Sequence, residues 1–175
     1  MLHSIVIQYP AMQKSVSNIE IENILPGAKC IAYKTLQQIG NLDKYLDAHP
    51  YVFVLYEYKP GYGHWTLLMR QGGDNEFFDS YGSKPDELLS EFDSVTKNRY
   101  GLNYPKIANL LLDSGKPVQY NALPLQRLSD KVQTCGKWCV IRALTDSMNV
   151  DDFGRYMCQA RDPDAFVNHL YRSLE

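Results

Sequence analysis

The sequence predicts an α+β domain: a central, mostly antiparallel sheet flanked by helices. Three observations carry this reading. Between residues 51 and 80, β-branched and aromatic runs alternate with short glycine-containing turns, the pattern of an antiparallel meander. From residue 85 onward apolar residues recur mainly at helical spacing. Strands gathered in the middle, with helices on either side in the chain, belong to the α+β class. A chain of 175 residues can bury a core without disulfide staples, so residues 1–175 are read as one domain.

Residues 1–34 carry no periodicity that predicts an element. Leu36, Ile39, Leu42 and Leu46 share one helix face, so residues 35–48 read as a short amphipathic helix stopped by His49-Pro50. Residues 51–56 read as a buried strand, and Lys59 to Gly63 is turn chemistry. A second strand occupies 64–70, Gln71 to Asn75 turns, and a third strand follows at 76–80. Pro85 stands at a first helical position ahead of Leu88, Leu89 and Phe92. Another helix begins near Pro105, carries Ile107, Leu110 and Leu111, and ends at Gly115. Residues 117–121 suit a further strand. Val140, Ile141, Leu144 and Met148 describe one face of a helix starting at Cys135. Asp162-Pro163 is an N-cap and first-turn pair for a last helix bearing Phe166, Val167, Leu170 and Leu174.

Composition narrows the function classes. A net charge of −2 provides no global basic field for nucleic acid. Lys131, Lys137 and Arg142 near the Cys135 helix read as solvated charges. The aromatic segment 51–62 reads as sheet packing, since no basic groove accompanies it. Cys30, Cys135, Cys139 and Cys158 lack framework spacing, which suits a reducing compartment. The apolar run Ile5-Val6-Ile7 is too short for a signal peptide, and nothing approaches a membrane span. The expected setting is a virion or host-cell cytoplasm, without secretion.

The chemistry points to Cys135. It stands, followed by Gly136, where a polar loop becomes a helix, and a helix N-terminus favours thiolate over thiol. His64 opens the second predicted strand after a glycine-rich turn. Asp79 lies near the end of the next strand, where antiparallel pairing brings it beside His64. Gln126, upstream of Cys135, offers a side-chain amide to join the Cys135 backbone N–H in binding an oxyanion. In this reading Cys135 attacks a carbonyl carbon, His64 moves the proton, and Asp79 fixes the imidazole tautomer.

Gly63-His64-Trp65, Phe78-Asp79-Ser80-Tyr81-Gly82, Gln126 and Thr134-Cys135-Gly136 together resemble the His–Asp–Gln–Cys-Gly order of adenain-like and SUMO-protease-like cysteine proteases. The flavour is that of capsid-maturation proteases of adenoviruses, virophages and large DNA viruses. The order is circularly permuted relative to papain, in which the cysteine comes first. The match spans residues 63–140. The resemblance implies the adenain-like fold, hydrolysis of viral capsid or other structural precursors next to glycine, and a narrow substrate tunnel partly formed by Trp65. It leaves room for an activating peptide or nucleic acid, for which no stretch of the sequence speaks. No cofactor, metal or membrane partner is expected, and a monomer is.

Alternatives stand beside this reading. Gln126 lies nine residues before Cys135, farther than the resemblance leads one to expect, so Gln133 is a rival oxyanion donor. A lone cysteine at a helix start is often a small buried residue, and Asp79 suits a turn. Cys135 and Cys139 with His64 would make a poor zinc site for want of further ligands. The same apparatus would serve an isopeptidase acting on ubiquitin-like modifiers, or persist in an inactive interaction module.

Overall fold

In the computed structural model, residues 13–175 are described; the Ile5–Ile7 run lies outside them. Five strands form one sheet in the order β1-β2-β3-β4-β5: Ala28–Ala32, Tyr51–Lys59, Tyr62–Gln71, Asp74–Phe78 and Val118–Tyr120. The predicted meander is its centre, with β2, β3 and β4 antiparallel through short turns. Both outer pairs are parallel, β1 with β2 and β4 with β5, so the sheet is mixed rather than mostly antiparallel. The reason is connectivity. Helical segments lie between β1 and β2 and again between β4 and β5, and such crossovers return the chain in the same direction.

The helices are α1 (Asn18–Ile24), α2 (Leu42–Ala48), α3 (Ser94–Tyr100), α4 (Lys106–Asp113), α5 (Cys135–Leu144), α6 (Val150–Met157) and α7 (Pro163–Arg172). Helix α1 and β1 occupy a stretch for which the sequence predicts nothing. A reciprocal capping box starts α1, with Ser17 Oγ accepting from Glu20 N–H and Glu20 accepting from Ser17 N–H. The helix predicted over 35–48 is divided. A 3₁₀ segment at Tyr33–Gln38 precedes α2, which restarts at Asn41, whose side chain accepts from Lys44 N–H.

The helix predicted from Pro85 is only a 3₁₀ turn, Glu87–Glu91. Asp86 explains this, because its φ of 65° cannot continue into a helical first turn. Its carboxylate accepts the Tyr33 and Tyr56 hydroxyls and the Ala108 N–H, which hold the residue in that conformation.

Alternation along the strands divides the core in two. Phe53, Trp65, Leu67, Met69 and Phe78 pack with Trp138, Cys139, Val140, Phe153 and Val167 of α5–α7. Val52, Val54, Tyr56, Leu68 and Phe77 pack with Leu36, Leu42, Leu46, Ile107 and Leu111. Helix α5 is the centrepiece of the first layer. Its residues from Cys135 to Ala143 are all buried, so the single apolar face read from the sequence is incomplete.

The charges on α5 therefore differ from the solvated ones expected. Arg142 is fully buried and makes two 2.7 Å bonds to Glu76 on β4. Lys137 is buried as well, and its Nζ donates to Asn168 Oδ1 at 2.6 Å. Lys131 is exposed, as a solvated charge should be. Among the described residues, no helix is long and apolar enough to cross a membrane.

Candidate active site

Strand β4 ends at Phe78, opposite Leu67, whereas β3 extends back to Tyr62. His64 thus lies on the part of β3 that β4 does not pair. It is a third-position residue of its strand, opposite Tyr56, rather than the strand's opening residue. The chain turns immediately after β4, with Gly82 N–H donating to Asp79 O and Tyr81 N–H donating to Asp79 Oδ1. Asp79 is therefore both a turn residue and a partner of the histidine, whose Nε2 lies 2.8 Å from Asp79 Oδ1. That pairing leaves Nδ1 as the ring nitrogen free for Cys135, whose proximity helps to raise the imidazole pKa. Tyr81 covers His64 by stacking, with ring centroids 4.4 Å apart and planes inclined by 10°.

Two glycines permit these approaches. At Gly63 a Cβ would lie 2.8 Å from Glu57 Cα and strike the Tyr56 carbonyl. At Gly136 it would lie 3.0 Å from Val16 Cβ and 3.1 Å from Trp65 Cδ1, so the start of α5 fits closely beneath both side chains.

Thr134 is the N-cap of α5 but makes no side-chain cap bond; its hydroxyl donates to Asp164 Oδ1 instead, at 2.6 Å. Cys135 Sγ receives backbone N–H bonds from Gly136 and Trp65. Burial pushes the thiol up, yet the bond and charge of His64, with these N–H groups, bring its pKa below the ordinary value. Burial opposes the charge on His64, but the Asp79 carboxylate and Cys135 together more than offset it and raise the imidazole to about 10. A thiolate–imidazolium pair is the state these shifts favour. The other buried thiol, Cys139, bonds through Sγ to Trp65 O at 3.4 Å, and burial raises its pKa far above the usual range.

Gln126 is buried and held on several sides. Its N–H donates to Ser80 O, and its Oε1 accepts from Ser80 Oγ at 2.8 Å. Its Nε2 donates to Val132 O at 3.1 Å and approaches the Tyr81 hydroxyl at 3.4 Å. The turn containing Ser80 and Tyr81 thereby fixes the amide as well as the histidine.

A cavity of about 820 Å³ opens here. His64, Cys135, Gln126 and Gln133 all border it, with Tyr58, Tyr62, Leu88 and Phe92 on one flank and the loop from Gln126 to Gln133 on the other. Asp79 lies behind His64 and does not line it. Trp65, expected in a substrate tunnel, borders an adjoining cavity of about 310 Å³ instead, and its Nε1 donates to Val16 O at 3.0 Å. The two cavities share Ser15, Tyr62 and Gly63. Among the described residues, no group of three or more His, Cys, Asp or Glu side chains is arranged to hold a metal ion.

Four candidates from distant parts of the sequence, His64, Asp79, Gln126 and Cys135, thus meet around one centre. Tyr81, Ser80, Val16 and Asp164 also belong to it without being singled out by sequence reasoning. Tyr81 lies within the motif that drew attention to Asp79, and that proximity was its only signal. Asp164 follows an N-cap pair and reads as an ordinary first-turn acid, yet its carboxylate is buried.

No profile of a known protein family matches the chain. Over 145 residues it is 31% identical to Uncharacterized protein V9 of the Sputnik virophage, a match covering 82% of this chain and 83% of that protein. The chain belongs to the family that includes this virophage protein.

Proposed function

We propose that this protein is an adenain-like cysteine endopeptidase that cleaves viral capsid or other structural precursors next to glycine during virion maturation. The observation that carries the reading is the His64–Asp79 hydrogen bond beside Cys135, with His64 and Cys135 opening together onto a cavity that Gln126 also borders. A lone buried cysteine needs none of these partners. The virophage relative supports a viral setting.

The chemistry runs in two steps. Cys135 Sγ attacks the scissile carbonyl carbon, and the resulting oxyanion is held by the Cys135 backbone N–H and Gln126 Nε2. Nε2 carries two hydrogens. One is directed to Val132 O, and the other, in the longer contact with the Tyr81 hydroxyl, is the one offered to the oxyanion. The His64 imidazolium protonates the leaving amine, giving a thioester. Water then attacks, His64 takes its proton, and the thiolate is released. Asp79 holds Nε2 throughout and so keeps Nδ1 toward the sulfur.

The test is co-expression with candidate structural precursors from the same virus, with cleavage ends mapped by mass spectrometry. Ends adjoining glycine should appear with the wild type and vanish with Cys135→Ala and His64→Ala. Identical ends in all three sink the reading. Labelling by a ubiquitin-like vinyl sulfone, with no precursor processed, identifies an isopeptidase instead.

A further inference from the structure

Gln126 and Cys135 are joined by eight residues, 127–134. An extended segment of that length reaches about 25 Å, so sequence separation does nothing to keep amide and thiol together. One buried carboxylate on a different helix does. Asp164, in the first turn of α7, is 1% exposed. Its Oδ2 accepts the Arg127 N–H at 2.9 Å and Arg127 Nε at 3.4 Å. Its Oδ1 accepts the Thr134 hydroxyl at 2.6 Å and Trp138 Nε1 at 3.0 Å. The two oxygens thus grip the first and last residues of the loop, each adjacent in the chain to a residue of the candidate site.

We infer that Asp164 is a positioning residue that sets the distance between the Gln126 amide and Cys135. This rests on the protease reading. Charge-assisted bonds from a buried carboxylate are short and directional, as pre-organisation of an oxyanion donor requires. Between the clamped ends residues 128–131 are exposed, Leu128 at the cavity rim by 84%, while Val132 is buried. Asp164 makes no bond to His64 or to the Cys135 sulfur, so the resting thiolate does not depend on it.

That separation supplies the test. Wild type, Asp164→Asn and Thr134→Val are compared in three assays. These are hydrolysis of acetyl-Leu-Ala-Gly-Gly-aminomethylcoumarin, inhibition by acetyl-Leu-Ala-Gly-glycinal, and alkylation of Cys135 by iodoacetamide at pH 6. The aldehyde forms a tetrahedral adduct and reports the oxyanion site; alkylation reports the thiolate alone. Asp164→Asn should lower kcat and weaken the aldehyde by about 10–100-fold, with KM and alkylation changed less than about twofold. Thr134→Val, which removes one bond, should show the same pattern more weakly and serves if Asp164→Asn does not fold. Unchanged kcat and aldehyde inhibition overturn the inference, as does alkylation falling in parallel, which would mark a merely structural residue. A wild type that neither cleaves, binds the aldehyde nor alkylates faster than a free thiol overturns the protease reading and this role with it.

Discussion

Asp79 Oδ1 lies 2.8 Å from His64 Nε2, and both side chains are almost wholly withdrawn from water. Burial alone lowers the pKa of the imidazole; the adjacent carboxylate, together with Cys135, reverses the sign and raises it to about 10. With Asp79→Asn the lowering contribution remains and the larger raising one is lost, while Cys135 still favours the cation, so the folded pKa falls from its wild-type value. Peptide cleavage by the wild type should therefore persist into alkaline solution and decline as pH rises through His64's raised pKa. In Asp79→Asn that decline should move to lower pH, with kcat at pH 7.5 reduced by roughly 10²–10⁴. A pH–rate profile of both proteins checks this; coincident alkaline limbs would refute it.

Cys135 makes the complementary prediction. Burial raises its pKa, and His64 with the Trp65 and Gly136 backbone N–H groups brings it down, so His64→Ala removes the largest lowering contributions. Alkylation of wild-type Cys135 by iodoacetamide should be faster at pH 6 than that of an ordinary thiol, which is protonated there. In His64→Ala it should slow by at least about tenfold and recover only in alkaline solution. Cys30, raised to about 12 by burial, and Cys139 should remain unlabelled at pH 6, as peptide mapping would show.

Gln126 and Gln133 both border the cavity, but the Ser80 hydroxyl and Ser80 carbonyl fix Gln126 at side chain and backbone. Gln126→Ala should cost about 10²–10³ in kcat, the usual loss for one oxyanion donor. Gln133→Ala should change kcat less than about threefold. Steady-state kinetics on the two variants decide between them, and the reverse ranking would transfer the role to Gln133.

Glu76 and Arg142 test the frame rather than the chemistry. Both are fully buried and joined by two 2.7 Å bonds, tying β4 to α5. Arg142→Met strands a carboxylate in the core and should destabilise the fold by about 3–5 kcal/mol. Adding Glu76→Leu should restore most of that loss, because two apolar groups need no partner. Urea denaturation of the single and double variants measures both values.

The meander from Tyr51 to Phe78 was legible because its information is local: alternation, β-branching and turn residues act within a few positions. The same holds for α7, whose Asp162 cap accepts from Ala165 N–H as its sequence implied. Asp86 was illegible for a related reason. Its positive φ is imposed by hydroxyls on Tyr33 and Tyr56, which are distant in the chain. The parallel edges of the sheet were equally hidden, since β1 carries no pattern of its own and gains its identity by pairing with β2.

For the site, sequence alone determined which side chains have the right chemistry: a cysteine opening a helix, a histidine after a glycine turn, an acid at the next strand's end, and an amide upstream. Only the tertiary structure decided that they meet. Hydrogen bonds form over about 3 Å, whereas these residues are separated by up to 71 positions in the chain. The distance between Gln126 and Cys135 shows the difference most sharply. Within the loop the Val132 carbonyl accepts from the Gln126 amide, and the carboxylate of Asp164, thirty residues beyond Thr134, holds both ends.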